Sequence, residues 1–300
     1  MNIVMVGDHI TVVSSFDRLF DQSLTSEYHL SIRLEPDGLS FSVYVPKAGK
    51  FVGLESFRFT DNAPTSIEAL ATKRYCDQLD LLLFKHPWLT AGFKSCCVIV
   101  QSNKYTMVPA ALYQPELKRD YLGFVHSVSD SNAVFEQKVV SIDSWLVYAV
   151  DEQINNVIAR HFPTAKKLQH TGSIIDSILP SFRHADLSDT VFVNVKTGSF
   201  DIIVLKDGKL RYCNSFLWKV ADDLVYFLIF VMDQLALNPE KIPIYLMGNI
   251  QFEDNLYQLM FRYIRSLNFV KMLDGIRGNF AVSEEMAYKY YDLLNPGLCV

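Results

Sequence analysis

Two stretches of the chain alternate apolar and polar positions in the same order. In residues 28–59, YHLSIRLEPDGLSFSVYVPKAGKFVGLESFRF, three runs of apolar alternation or β-branched enrichment are broken at PDG and at KAGK. That pattern predicts a three-stranded meander. Residues 190–216 repeat the plan as TVFVNV, KTG, SFDIIVL, KDGK and LRYCNSF. Gly38 matches Gly198 at an offset of 160, and Gly49 and Lys50 match Gly208 and Lys209 at 159. A helical run and one more strand follow each meander: about Ser66 to Lys85 and then CCVIVQ, about Trp218 to Leu237 and then IPIYLMG. Pro87 and Pro239 stand just past the two helices, where the missing N–H and the ring clash stop a helix. The order of three strands, helix, strand thus occurs twice.

The segment between the halves, from Ser102 to about Leu187, does not repeat. YTMVPAALY reads as a strand running into a turn at Pro115, ELKRDYL as a short helix, and KVVSI and SWLVYAV as strands. DEQINNVIARHF has a charged first turn ahead of an amphipathic helix, and KLQHT with GSIIDSILPSF reads as strand then helix. The polar stretch RHADLSD sets the domain boundary, giving a first domain over 1–187 and a second over 188–300. Ser283 is the expected N-cap of a final helix, SEEMAYKYYDLL, with Met286, Tyr290 and Leu293 on one face.

Composition narrows the partners. Three hundred residues, 50% hydrophobic and 20% charged, suit an ordered chain of two domains. A net charge of -5 without a basic block gives no footprint for nucleic acid. Arg262, Arg265, Lys271 and Arg277, interleaved with Phe261, Tyr263 and Phe280, read as a solvated helix face. The five cysteines are too few for a disulfide scaffold: Cys96 and Cys97 point to opposite faces of one strand, and Cys76, Cys213 and Cys299 are scattered. They read as small buried hydrophobes in a reducing compartment. His161, His170 and His184 show no zinc spacing, so no metal site is expected. The opening MNIVMVGDHITVVSSF lacks the basic flank and cleavage site of a secretory signal. The longest apolar run, Leu224 to Met232, stops at Asp233, well short of the ~20 residues a bilayer requires. A cytoplasmic protein is expected, without direct membrane insertion.

The duplicated plan resembles the duplicated ribonuclease-H-like fold of the actin, Hsp70 and sugar-kinase superfamily. It is most similar to the actin-like cytoplasmic proteins of pilus assembly and type II secretion. More narrowly, it resembles an uncharacterised Bacteroidetes family of about this length that opens with a Y-x-L-S-I strand and a D-G-x-S-F turn, here Tyr28 to Ile32 and Asp37 to Phe41. The resemblance implies an α/β actin-like ATPase fold, each domain a three-stranded meander plus parallel strands and flanking helices. It also implies a terminal helix that crosses back onto the first domain.

In active members, one hairpin turn per domain grips the nucleotide phosphates from opposite sides of a cleft. A strand-end aspartate holds magnesium through water, and a strand with Gly-Gly lies against the adenosine. The second-domain pattern, D-x-G-G-G-T-x-D, falls without a gap on NVKTGSFD. Asn194 replaces the metal-holding aspartate, Lys196 and Thr197 replace glycines, and Gly198, Ser199 and Asp201 match. A neutral amide oxygen holds magnesium-bound water much less well than a carboxylate. In the first domain the pattern falls on RLEPDG, with Arg33 or Leu34 in the aspartate's place and Pro36 lacking a donor. The adenosine element falls on IYLMGNI, where Gly248 is kept and Asn249, tolerant of positive φ, replaces the second glycine.

No P-loop, dinucleotide or nucleophile-elbow motif occurs. Asp222 with Asp223, and Asp151 with Glu152, sit in helix first turns where the helix dipole explains them. No catalytic residue is assigned. Two functions fit: a non-catalytic scaffold that recruits a protein partner, such as a segment of a membrane protein, with no cofactor; or an ATPase or kinase-like enzyme using ATP with magnesium at Asn194, Lys196, Thr197, Gly198, Ser199, Asp201, Gly248 and Asn249.

Overall fold

A computed structural model describes the chain over residues 4–6, 9–59, 68–182, 189–271 and 282–295. The expected helix start at Ser66, the linker 183–188, His184, Arg277, Phe280 and Cys299 lie outside these residues.

Two strands that the alternation did not predict come first, β1 (Val4–Val6) and β2 (His9–Phe16). The meander follows as β3 (His29–Glu35), β4 (Gly38–Val45) and β5 (Lys50–Phe59), then α1 (Glu68–Lys85) and β6 (Ser95–Val100). β7 (Tyr105–Pro109), α2 (Lys118–Gly123), β8 (Asn132–Val139) and β9 (Ser144–Asp151) form the non-repeating segment. Its strands make a separate antiparallel sheet in the order β7-β9-β8. α3 (Glu152–His161), capped by the Asp151 carboxylate on the Gln153 N–H at 2.8 Å, leads to β10 (Lys166–Gln169) and α4 (His170–Phe182). The main sheet runs β1-β2-β5-β4-β3-β6-β10, with β3, β6 and β10 parallel.

The second half is β11 (Asp189–Lys196), β12 (Ser199–Lys206), β13 (Lys209–Leu217), α5 (Ala221–Gln234), β14 (Ile244–Gly248), α6 (Asn255–Phe261), β15 (Leu267–Phe269) and α7 (Glu284–Lys289). Its sheet order, β13-β12-β11-β14-β15, reproduces β5-β4-β3-β6-β10 strand for strand, so the duplication read from the alternation is present in the topology. β-Branched and aromatic residues explain the central strands: every β11 side chain from Thr190 to Lys196 is buried, as parallel strands covered on both faces require.

The described residues form two compact units that part between Ser173 and Ile174, with Ser283–Leu294 in the second. The division falls inside α4 instead of at the polar stretch near residue 187. The helix's C-terminal end is held by the second unit, where the Phe182 ring meets Phe192 and Tyr245 edge-on at 4.8 and 5.0 Å. Ser283 caps α7 as expected, accepting from Met286 N–H at 3.2 Å, but α7 groups with the second unit and not the first. α5 begins at Ala221, past Trp218, and ends before Pro239 can act: Ala236 turns left-handed at φ 53° and Leu237 N–H reaches back to Met232 O at 2.8 Å. Arg262, Arg265 and Lys271 share no helix face, because α6 stops at Phe261. Cys97 is buried in β6, and burial pushes the Cys76 thiol up to about 11, as inert core cysteines.

Two histidines of the first unit couple this core to pH. His86 packs its ring on Phe57 at 5.0 Å and on His9 at 6.0 Å, and buried His29 faces Tyr44 and the Ser95 hydroxyl. Burial lowers both pKa values, helped by Lys85 and Lys94 respectively. The folded state therefore takes up protons on both rings at lower pH than the unfolded chain, which does so first as pH falls below about 6.5. The urea midpoint should drop between about pH 7.5 and about pH 5.5, and His86→Phe should shrink that drop.

Candidate functional site

The second hairpin closes with the pair Lys196 and Ser199 around a two-residue turn, Thr197 and Gly198. Both turn residues are exposed, and Gly198 is left-handed at φ 71°. Below the turn, Asn194, Lys196 and Asp201 project from one face of the sheet, since residues two apart share a face and Asn194 lies opposite Asp201. The structure brings them into a single buried network. Lys196 Nζ pairs with Asp201 Oδ1 at 2.7 Å, with side chains 2% and 0% exposed. Asn194 Nδ2 donates to Asp201 Oδ2 at 2.9 Å, and the Ser215 hydroxyl of β13 donates to Oδ1. Both carboxylate oxygens of Asp201 are thus engaged by donors from its own sheet.

Trp218, just past β13, closes the mouth of the hairpin. Its indole N–H is shared between the carbonyls of Lys196 and Ser199, at 3.1 Å each, and its backbone N–H donates to Gly198 O at 3.1 Å. Neither Ser215 nor Trp218 was among the expected site residues. Ser215 had one usable signal, its place opposite Asp201 in the third strand of the meander; Trp218 was assigned to the helix.

Gly248 and Asn249 stand at the end of β14, beside Val195. Gly248 takes φ 83°, and a Cβ there would lie 2.1 Å from Val195 O and 2.7 Å from Asn194 Oδ1. The glycine is required by the close approach of these two strand ends. Asn249 is exposed and is not left-handed, so its tolerance of positive φ is unused; its N–H donates to Val195 O at 2.7 Å.

The first hairpin carries the same rungs with different chemistry. Its turn is Pro36 and Asp37, closed by Glu35 and Gly38. The pairing registers therefore equate Arg33 with Asn194, Glu35 with Lys196 and Ser40 with Asp201, each at an offset of 161. Gly38 matches Ser199, not Gly198, which corrects the offset of 160 read from the glycines. Gly38 serves a different need: a Cβ there would lie 2.0 Å from Phe57 O on β5. Arg33, not Leu34, holds the place of the strand-end aspartate, and it pairs with Glu35, both largely buried. The Ser40 hydroxyl lies 3.3 Å from Glu35 Oε1 and 2.9 Å from Ser56, the counterpart of Ser215. Each hairpin base thus holds a cation, a carboxylate and hydroxyl groups in mutual contact.

Known proteins share this architecture. A family model described as a protein of unknown function, DUF3822, matches residues 17–267. A crystal structure from Bacteroides thetaiotaomicron, a protein with actin-like ATPase fold and unknown function, is similar at a TM-score of 0.73 and 21% identity, covering 84% of this chain and 94% of its own. A chain of the PilM-PilN type IV pilus biogenesis complex is similar at a TM-score of 0.59 and 11% identity, covering 89% and 96%. No curated protein matches. The fold is the actin-like ATPase fold, a duplicated ribonuclease-H-like arrangement.

Two stability measurements test the network. Asp201→Asn leaves Lys196 as a buried charge without its counter-ion and should cost about 3 to 5 kcal/mol by urea denaturation, whereas Lys196→Met with Asp201→Leu should cost clearly less. Gly248→Ala should destabilise by more than about 1 kcal/mol, since both φ and space oppose it.

Proposed function

We propose that this chain, which belongs to the DUF3822 family of proteins of unknown function, is a non-catalytic docking module that keeps an actin-like ATPase fold without using a nucleotide. The observation that carries this reading is the Lys196–Asp201 pair, buried and completed by Asn194 and Ser215. A magnesium-nucleotide site of this fold requires carboxylates at the strand ends and open space for phosphate. Here those places hold Arg33 and Asn194, and the one carboxylate at the second hairpin's base is neutralised by its own sheet. The charge that would hold metal-bound water is missing from both strand ends, and that of Asp201 is balanced by Lys196.

Similarity to a chain of a pilus biogenesis complex supports the docking half of the reading, since the fold occurs there in a protein complex. Among the described residues no helix is long and apolar enough to cross a membrane, so contact with a membrane would pass through the partner. A nucleotide-binding reading draws on one feature, the exposed left-handed turn at Gly198, which keeps the backbone shape of a phosphate loop.

Thermal unfolding decides between them. Millimolar ATP with magnesium should leave the Tm unchanged within about one degree. A rise of several degrees that Gly198→Val abolishes would overturn the docking reading in favour of a nucleotide site.

A further inference from the structure

α5 is apolar on both of its sides, and the core uses only one. Leu224, Leu228, Val231 and Met232 are buried among the β11, β12 and β14 side chains. On the outer side Tyr226 is 64% and Phe230 48% exposed, their rings nearly parallel at 6.3 Å. A helix packed on one face of a sheet needs only one apolar stripe, so the second stripe has no role in the fold of this unit. Leu259 of α6 and the exposed Tyr263 supply a facing wall, and the two walls enclose a groove of about 550 Å³. Contiguous exposed aromatics of this kind mark interaction surfaces.

The groove is also charged in a defined way. Asp222 and Asp233 line it, near the two ends of α5 and about 16 Å apart along its axis. Neither carboxylate is in a salt bridge or side-chain hydrogen bond among the described residues. The helix dipole accounts for Asp222 in the first turn, but it opposes a carboxylate in the last turn, where Asp233 stands. An apolar floor about three turns long with an anionic group at each end is complementary to one kind of occupant, an amphipathic helix bearing a cation at each end of its apolar stripe.

We propose that the groove between α5 and α6 is the docking site for an amphipathic helix of a protein partner, seated on Tyr226, Phe230 and Tyr263, with lysine or arginine residues paired to Asp222 and Asp233. This rests on the docking-module reading and names where docking occurs.

The probe is a synthetic helical peptide of about 15 residues with leucines at i, i+4 and i+7 and two lysines spaced to meet Asp222 and Asp233. Its control carries glutamates in place of the lysines. Fluorescence anisotropy with the full chain should show the lysine peptide binding at least about tenfold more tightly than the control. Asp222→Asn with Asp233→Asn should erase that preference, and Tyr226→Ser with Phe230→Ser should abolish binding while melting stays cooperative. Binding of neither peptide, equal affinity for both, or indifference to the substitutions would overturn the proposal. So would light scattering that shows a dimer dissociated by Phe230→Ser, because the occupant would then be a second copy. If ATP with magnesium is inert in the same preparation, such a failure removes the groove and leaves the docking reading standing. A nucleotide-induced rise in Tm counts against that reading whatever the peptides do.

Discussion

A charged side chain in a strand covered on both faces has to be neutralised inside its own sheet, and much of this structure follows from how that is done. Removing an ion from water costs several kcal/mol even after relaxation. Lys196 and Asp201 meet that cost with each other and with two further donors. The arrangement also fixes the register. A slip of one residue would turn Lys196 and Asp201 toward Val193, Val195, Phe200 and Ile202, the face packed under α5. The same pairing thus holds the hairpin in place, with Trp218 fastened across its mouth.

The two halves solve this problem twice, with different residues at equivalent positions. Arg33 and Glu35 stand two residues apart on one strand, while Lys196 and Asp201 reach each other diagonally across two. A serine on the third strand, Ser56 or Ser215, belongs to each cluster. What is common is geometric: a two-residue turn, a rung below it, and a polar cluster on one face. What differs is the identity of every charged group. The same frame is therefore filled with different chemistry in the two halves.

The meanders, the helix and the parallel strand after each were legible because alternation with a period of two and turn residues are local signals. The three-residue β1 and β15 were not, because strands that short leave little periodicity, and neither was β2, whose place in the sheet depends on pairing with the distant β5. Gly38 misled the internal alignment by one residue. It matches Gly198 as a letter, but one glycine is needed for a left-handed turn and the other for close approach to β5, and the sequence alone does not distinguish the two. The apolar run from Leu224 to Met232 does not distinguish the two sides of α5, yet Tyr226 and Phe230 face outward, since burial depends on what packs against each side.

From the sequence alone came the duplication, the family resemblance, the two hairpins and the absence of a strand-end aspartate from both, because these are matters of residue identity and local order. Only the tertiary structure decided that Lys196 and Asp201 form a closed pair, that Ser215 and Trp218 complete it, and that Gly248 is required by the approach of Val195 and Asn194. Those outcomes depend on register between strands and on distances across a sheet, and a linear order of residues does not contain them until the strands have paired.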